Sequence, residues 1–560
     1  MMNKMQFSKW MITGCLSILG VFLMAQSGVR EVTDVYVIKN AMVVQQPGTV
    51  ISGAHIIVRN GLIEAVGTDV AIPFDAKVID ADSMYVYAGF IDAASHAGIP
   101  KKEERRERPD GLIPGNPPNE LAGITPDAKA SAIISSKEKS IKDMRDNGFT
   151  ISHVIPTGRM LPGQGAIISN RSGAVEEIVL RDEVSMFTQF RAAQRMYPAT
   201  VIAIMSKWRD LYTNAKNMSE YASKFEMDPS GKKRPVMDEA TQAMAKVVNG
   251  LPVFFEVDDV LDIHKALRLK NDLGFNLVLT DADQVYPALS HIKAQSIPVI
   301  LSTDLPKELK KKDDKKEDEE VDEEKMALEK RKQEAYDQHV GQAALLEKEG
   351  VAFSFSFIDG KIKDFKKNVK RMIDAGLSED AALAAMTTTP ASMIGIDQMA
   401  GTIEAGKVAN LVVTDKSYFD DKSNIRYVMV DGHLNEYEVK EKKKKSSGEA
   451  SGEPIALEGE WTFEIEIPGQ TQSGVIVVNK NGDDYEIKFA SDEDPDDFTD
   501  ASNIELEGSN LTFDATVDNG GFEMNLTFDL DVTPDSYEGT VSVGNFGSFP
   551  ITGDKTSTPE

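Results

Sequence analysis

The sequence predicts an α/β fold: a parallel βα-barrel flanked by strands, with a separate all-β domain at the C-terminal end. Three observations carry this. Strand-like and helix-like runs alternate from Gly89 to about Gly395, strands return on both sides of that stretch, and Glu460 to Thr552 reads as strand and turn throughout. A chain of 560 residues exceeds one ordinary domain, and 41% hydrophobic content supports globular cores.

The first element is a targeting segment, residues 1–26. Lys4 and Lys9 form a basic region, Trp10 to Ala25 runs 16 residues without a charge, and small residues near Ala25 to Ser27 suit cleavage. This reads as a secretory signal peptide, too short for an ordinary membrane span, and predicts a periplasmic or secreted bacterial protein. The single cysteine, Cys15, lies inside it, so the mature chain carries no thiol. "ITGC" at Ile12 to Cys15 resembles a lipoprotein box, but most of the apolar run follows it, so an ordinary signal is expected.

Residues 33–88 follow as a β module. "VYVIKNAMVV" and "AHIIVRNGLIEAVG" alternate β-branched residues, and Asn60-Gly61 is a hairpin signal. Residues 89–395 are the barrel. "LPVFFEV", "NLVLTDA" and "IPVILST" are strands separated by helical runs such as "DDVLDIHKALRLKNDLGF". Such repetition argues for parallel βα units, with a doubly wound open sheet as the alternative. Lys307 to Lys325 is an insertion with 17 charged residues of 19, which cannot bury a core. Leu377 to Ile394 reads as one helix, capped by Ser378, with Glu379 and Asp380 at the positive end of its dipole.

Strands return over 396–436, a Lys/Ser/Gly-rich linker covers 437–456, and 457–555 is the all-β domain. Its regular turns predict a small sandwich or barrel plugged by the tryptophan of "GEWTFEIEIPG". From Leu457 onward, 24 Asp and Glu face three Lys, which is −21 of the chain's −28. Such a surface repels nucleic acid and anionic lipid and favours solubility. Neither a nucleic-acid partner nor a membrane span after the signal is expected.

Three stretches carry a family resemblance: "YAGFIDAASHAG" (Tyr87 to Gly98), "GLSEDAALAAMTTTPASMIGI" (Gly376 to Ile396) and "GTIEAGKVANLVVTD" (Gly401 to Asp415). Together they resemble the amidohydrolase superfamily, near its imidazolonepropionase-like members. The resemblance implies a (β/α)8 TIM-like barrel, with a composite β-sandwich built from 33–88 and 396–436. It also implies metal-dependent hydrolysis of C–N bonds of the non-peptide or dipeptide-amide kind, usually with zinc. "GRMLPGQGAII" (Gly158 to Ile168) resembles a glycine-rich loop of this branch, which brings Gly163 and Gln164 to the pocket's border.

The family's metal ligands carry over one position at a time. Of two histidines on the first barrel strand, one falls at Ala94 and the other at His96. The histidine of the fifth strand falls at Glu256, and that of the sixth at Asp281. The aspartate of the eighth falls at Ile358, with Asp359 one residue late, a shift that reverses the face on a continuous strand. The bridging lysine carboxylate of some members finds no position on the fourth strand.

His96 is therefore the one metal-ligand candidate, whereas zinc needs about three or four ligands. The cofactor is left unassigned. Two functions follow. The first is a barrel without the family's metal: a non-catalytic binding or partner subunit, which takes a small molecule, an active amidohydrolase-like relative or a second copy of itself. The second is a remodelled hydrolase built on Asp92, His96, Glu256 and Asp281. There Glu256 and Asp281 are the catalytic acid and base, or a carboxylate set for Mn²⁺ or Mg²⁺. His153, at the end of "FTISHVIP", is a further pocket candidate.

Overall fold

The computed structural model describes residues 35–101, 112–307, 323–437 and 457–557, the last without 468–469, 482–483, 493, 508, 519–522 and 544–546. The expected signal peptide, most of the charged insertion and nearly all of the linker lie outside the described residues. The chain divides into two compact units, 1–440 and 441–560.

In the first unit, both flanks of the barrel join in one eight-stranded sheet. Its strands are β1 (Val35–Gln46), β2 (Thr49–Arg59), β3 (Leu62–Gly67), β4 (Lys77–Asp80) and β5 (Tyr85–Ala88), with β14 (Leu411–Thr414), β15 (Ile425–Val430) and β16 (His433–Glu436) from beyond the barrel. The predicted composite of chain ends is thus a single continuous sheet. β1 makes it so: irregular in register after Ile38 and Ala41, it pairs with β4 along its first half and β5 along its second. The Asn60-Gly61 turn joins β2 to β3 with φ of 52° and 77°, the left-handed pair that a tight hairpin requires.

The barrel strands are β6 (Phe90–Ser95), β7 (Phe149–Val154), β8 (Gly163–Ser169), β9 (Val179–Gln189), β10 (Val253–Glu256), β11 (Leu277–Ala282), β12 (Val299–Ser302) and β13 (Phe353–Ser356), hydrogen-bonded in chain order. Ends meet where the Phe357 N–H and the Ser356 hydroxyl donate to the Ala94 carbonyl at 2.9 and 3.1 Å. The expected eight-stranded barrel is present, nearly closed, with one irregularity: β8 runs antiparallel to both neighbours. The links into and out of β8 are too short for a parallel crossover, which needs about a dozen residues or more.

Alternation sorts the side chains. Ile91, Ile151, Ile167, Phe187, Phe254, Val278 and Ile300 form one buried cluster, the barrel's inside. Their neighbours Phe90, Met186, Phe255, Leu279 and Leu301 belong to the larger core. Strands covered on both faces read as near-continuous apolar runs, which is why "LPVFFEV" and "IPVILST" stood out. The expected helix over Leu377 to Ile394 is two helices, Glu379–Met386 and Thr388–Met393. Ser378 caps the first, accepting from the Ala381 N–H at 3.1 Å. The break falls at Thr387 because Pro390 has no N–H to continue the ladder.

The second unit is a closed antiparallel barrel of eight strands, β17 (Gly459–Ile467) through β24 (Gly547–Ser557), each paired with its chain neighbour and β17 with β24. Its interior is apolar. Phe513 stacks on Phe528 at 4.4 Å, and buried Trp461 donates its indole N–H to the Leu457 carbonyl at 2.9 Å. Among the described residues, no helix is long and apolar enough to cross a membrane.

Candidate functional site

The C-terminal ends of the parallel strands collect the polar residues. Glu256 is the last residue of β10 and only 4% exposed. Asp281, in β11, is 5% exposed. Its backbone is left-handed, φ 51°, and the pairing with β12 slips between Leu279 and Ala282. Leu279 and Ala282 both pack outward, and the slip frees Asp281 to reach the Ser302 and Ser356 side chains. Aspartate tolerates this conformation better than most residues.

Asp359 joins them from a bend beyond β13, where strand alternation no longer applies. Ile358, before it, packs against the apolar inside of the barrel. His96 follows β6 directly. Its Nδ1 lies 2.8 Å from the Ile155 carbonyl, and its ring meets Phe187 edge-on. Burial lowers the imidazole's pKa, with Asp359 pulling the other way.

Arg191 completes the mouth, and sequence reasoning missed it. It stands two residues past β9, and its Nη2 lies 2.5 Å from Glu256 Oε1, 3.6 Å from Asp258 Oδ1 and 3.8 Å from Asp359 Oδ2. An isolated arginine after a strand carries no motif; only its reach across the barrel reveals it. Burial raises the Glu256 carboxyl to about 8 despite Arg191. Burial and the charge of Asp359 raise Asp281 to about 7, and burial with Asp258 raises Asp283 to about 6.

Three expected pocket residues sit elsewhere. Asp92 is fully buried, and its carboxylate is spent locally: Oδ1 accepts from the Ala94 N–H at 3.0 Å and Oδ2 from the Ser95 hydroxyl. Gln164 pairs across from Met186, which faces the outer core, and bonds the Pro126 carbonyl and Lys246. Gly163, next to it, lies against the Ala128 and Thr125 carbonyls and carries no side chain into the mouth.

His153 points inside the barrel but is fully buried, its Nδ1 on the Ala93 carbonyl and Nε2 on the Ser185 hydroxyl, both at 2.8 Å. The carbonyl can only accept, so Nδ1 carries the proton and Nε2 accepts from Ser185. Burial holds its pKa down to about 4. A Cβ at Gly165 would fall 2.6 Å from His153 Nε2, so the glycine-rich loop makes room for this bond.

Mouth chemistry is thus carboxylate-rich, with Arg191 as an internal cation and one imidazole. Among the described residues, no group of three or more His, Cys, Asp or Glu is arranged to hold a metal ion.

Residues 287–434 match the model of the Amidohydrolase family. No curated protein gives a sequence match. An amidohydrolase from Thermotoga maritima MSB8 is similar in structure, with 24% identity, a TM-score of 0.57, and coverage of 71% of this chain and 99% of its own. A beta-aspartyl dipeptidase from Fervidobacterium islandicum-AW-1 is 13% identical, covering 71% of this chain and 96% of its own at a TM-score of 0.40. Residues 287–434 thus carry the Amidohydrolase family's sequence signature, and the first unit shares its fold with the Thermotoga maritima amidohydrolase.

Proposed function

We propose that this chain is an exported, non-hydrolysing member of the superfamily whose barrel mouth binds a small molecule. The observation behind this reading is Arg191. Its guanidinium holds a fixed positive charge against Glu256, Asp258 and Asp359, the carboxylates a metal ion would recruit. Ala94 and Ile358 supply no donor, and His96 alone supplies an imidazole. This donor set does not fit zinc, which takes three or four N, S or O ligands at about 2.0–2.3 Å. Export rests on the basic and apolar N-terminal segment, and N-terminal sequencing of the periplasmic form tests it: a start at Met1 overturns it.

Metal content of the purified protein, read with turnover of acyl-amino-acid, dipeptide and cyclic-amide substrates, tests the main reading. Substoichiometric metal and no turnover are expected; near-stoichiometric metal with turnover overturns it. One observation favours a metal-free hydrolase instead: the raised Glu256 and Asp281 carboxyls hold a proton near neutral pH, as a general acid must. Turnover that survives chelator and is lost in D281N would establish that alternative.

A further inference from the structure

Arg191 neutralises only one side of the mouth. Its partners are Glu256, Asp258 and Asp359. Asp281 lies beyond them, and the charges acting on it are those of Asp359 and Asp283, both negative. Asp281 is 5% exposed, and its Oδ1 has no hydrogen-bond partner among the described residues. Oδ1 of Asp283, half-buried two residues on, is also without one.

A buried carboxylate oxygen without a donor is costly, and two side by side call for a group with several N–H bonds and a positive charge. No other Lys or Arg ion pair with either carboxylate occurs among the described residues. The wall that could have supplied hydroxyls is already used: the Ser356 hydroxyl donates to the Ala94 carbonyl at 3.1 Å, and the Thr303 hydroxyl donates to the Ser356 carbonyl at 2.7 Å.

Resting on the non-hydrolysing reading above, we propose that the mouth is a receptor site for a small organic cation, a primary ammonium whose N–H donors fill the vacant Oδ1 positions of Asp281 and Asp283. Arg191 favours such a ligand over a divalent ion. A monovalent ammonium needs two or three acceptors, which Asp281 and Asp283 offer, whereas a divalent ion would also need the carboxylates Arg191 holds. Half-buried Ile358, next to Asp359, offers an apolar group beside the charged end.

Calorimetric titration of the full-length mature protein with n-butylammonium, tetramethylammonium and Mn²⁺, at matched ionic strength, tests this. Saturable butylammonium binding is expected, with tetramethylammonium, which has the charge but no N–H, at least about tenfold weaker. D281N should lose about tenfold or more of butylammonium affinity, and D283N less. D82N, on an exposed turn of the flanking sheet, should change nothing. If D281N fails to fold, by loss of its circular dichroism, D283N carries the comparison. Equal binding of the two ammonium ions, no binding of either, or affinity unchanged in both variants overturns the cation site and leaves the non-hydrolysing reading to its metal analysis. Stoichiometric Mn²⁺ binding that D281N abolishes overturns that reading as well.

Discussion

The chain builds two eight-stranded barrels, and they treat charge in opposite ways. The first closes on mostly parallel strands and keeps His153, Glu256 and Asp281 buried within or at the mouth of its wall. The second closes on antiparallel strands and fills its inside with Trp461, Phe463, Phe513, Phe528 and other apolar groups, although its sequence is far more acidic. Alternation along its strands sends acids such as Glu460 and Glu464 outward and Trp461 and Phe463 inward. In the first barrel, strand ends, a register slip and a bend bring acids in. Buried titratable groups therefore mark a place for chemistry or recognition, while bulk charge does not.

The contrast breaks most strongly in the second barrel's core. F528A should cost roughly 3–5 kcal/mol in urea unfolding of the second unit, because it empties a stacked aromatic site. H153A should cost about 2–3 kcal/mol at pH 7, leaving the Ala93 carbonyl and Ser185 unpaired. His153 has a folded pKa of about 4 against an ordinary 6.5, so it prefers to be neutral in the fold. Its contribution is present above 6.5 and lost as pH falls towards 4, so the H153A cost should shrink at pH 4.

R191A should cost less, roughly 1–2 kcal/mol, because the arginine is partly exposed and Glu256 can take a proton when its partner goes. The same variant should gain Mn²⁺ affinity by calorimetry; no gain would show that Arg191 does not guard the mouth. D281N acts in the opposite direction. Its folded pKa of about 7 exceeds the ordinary 3.8, so the native carboxyl costs stability as pH rises from about 4 through 7. D281N should therefore stabilise the protein at pH 8 and change nothing near pH 4, read from thermal midpoints.

Much of the fold was legible because it is periodic. Strand runs such as Leu277 to Ala282, the Asn60-Gly61 hairpin and the Ser378 cap are local signals, and each stands where expected. The reversal of β8 was not read, though the shortness of its links was there to see. At the site, Glu256 and Asp281 were legible as replacements in a family pattern. Asp92 looked equally promising, but its carboxylate turns back onto Ala94 and Ser95. Asp359 looked misplaced by one residue, an objection valid only on a continuous strand.

The sequence by itself determined the order of modules, the barrel's strand pattern and the carboxylates at the ends of the fifth and sixth strands, because these are properties of residue type and spacing. Tertiary structure alone decided which charges meet. Arg191 and Glu256 are 65 positions apart, and Asp359 comes from the far end of the barrel. Their contact depends on closure of the sheet and on backbone geometry at strand ends, such as the left-handed turn at Asp281. No local pattern encodes that geometry, since the same residues on straight strands would face elsewhere.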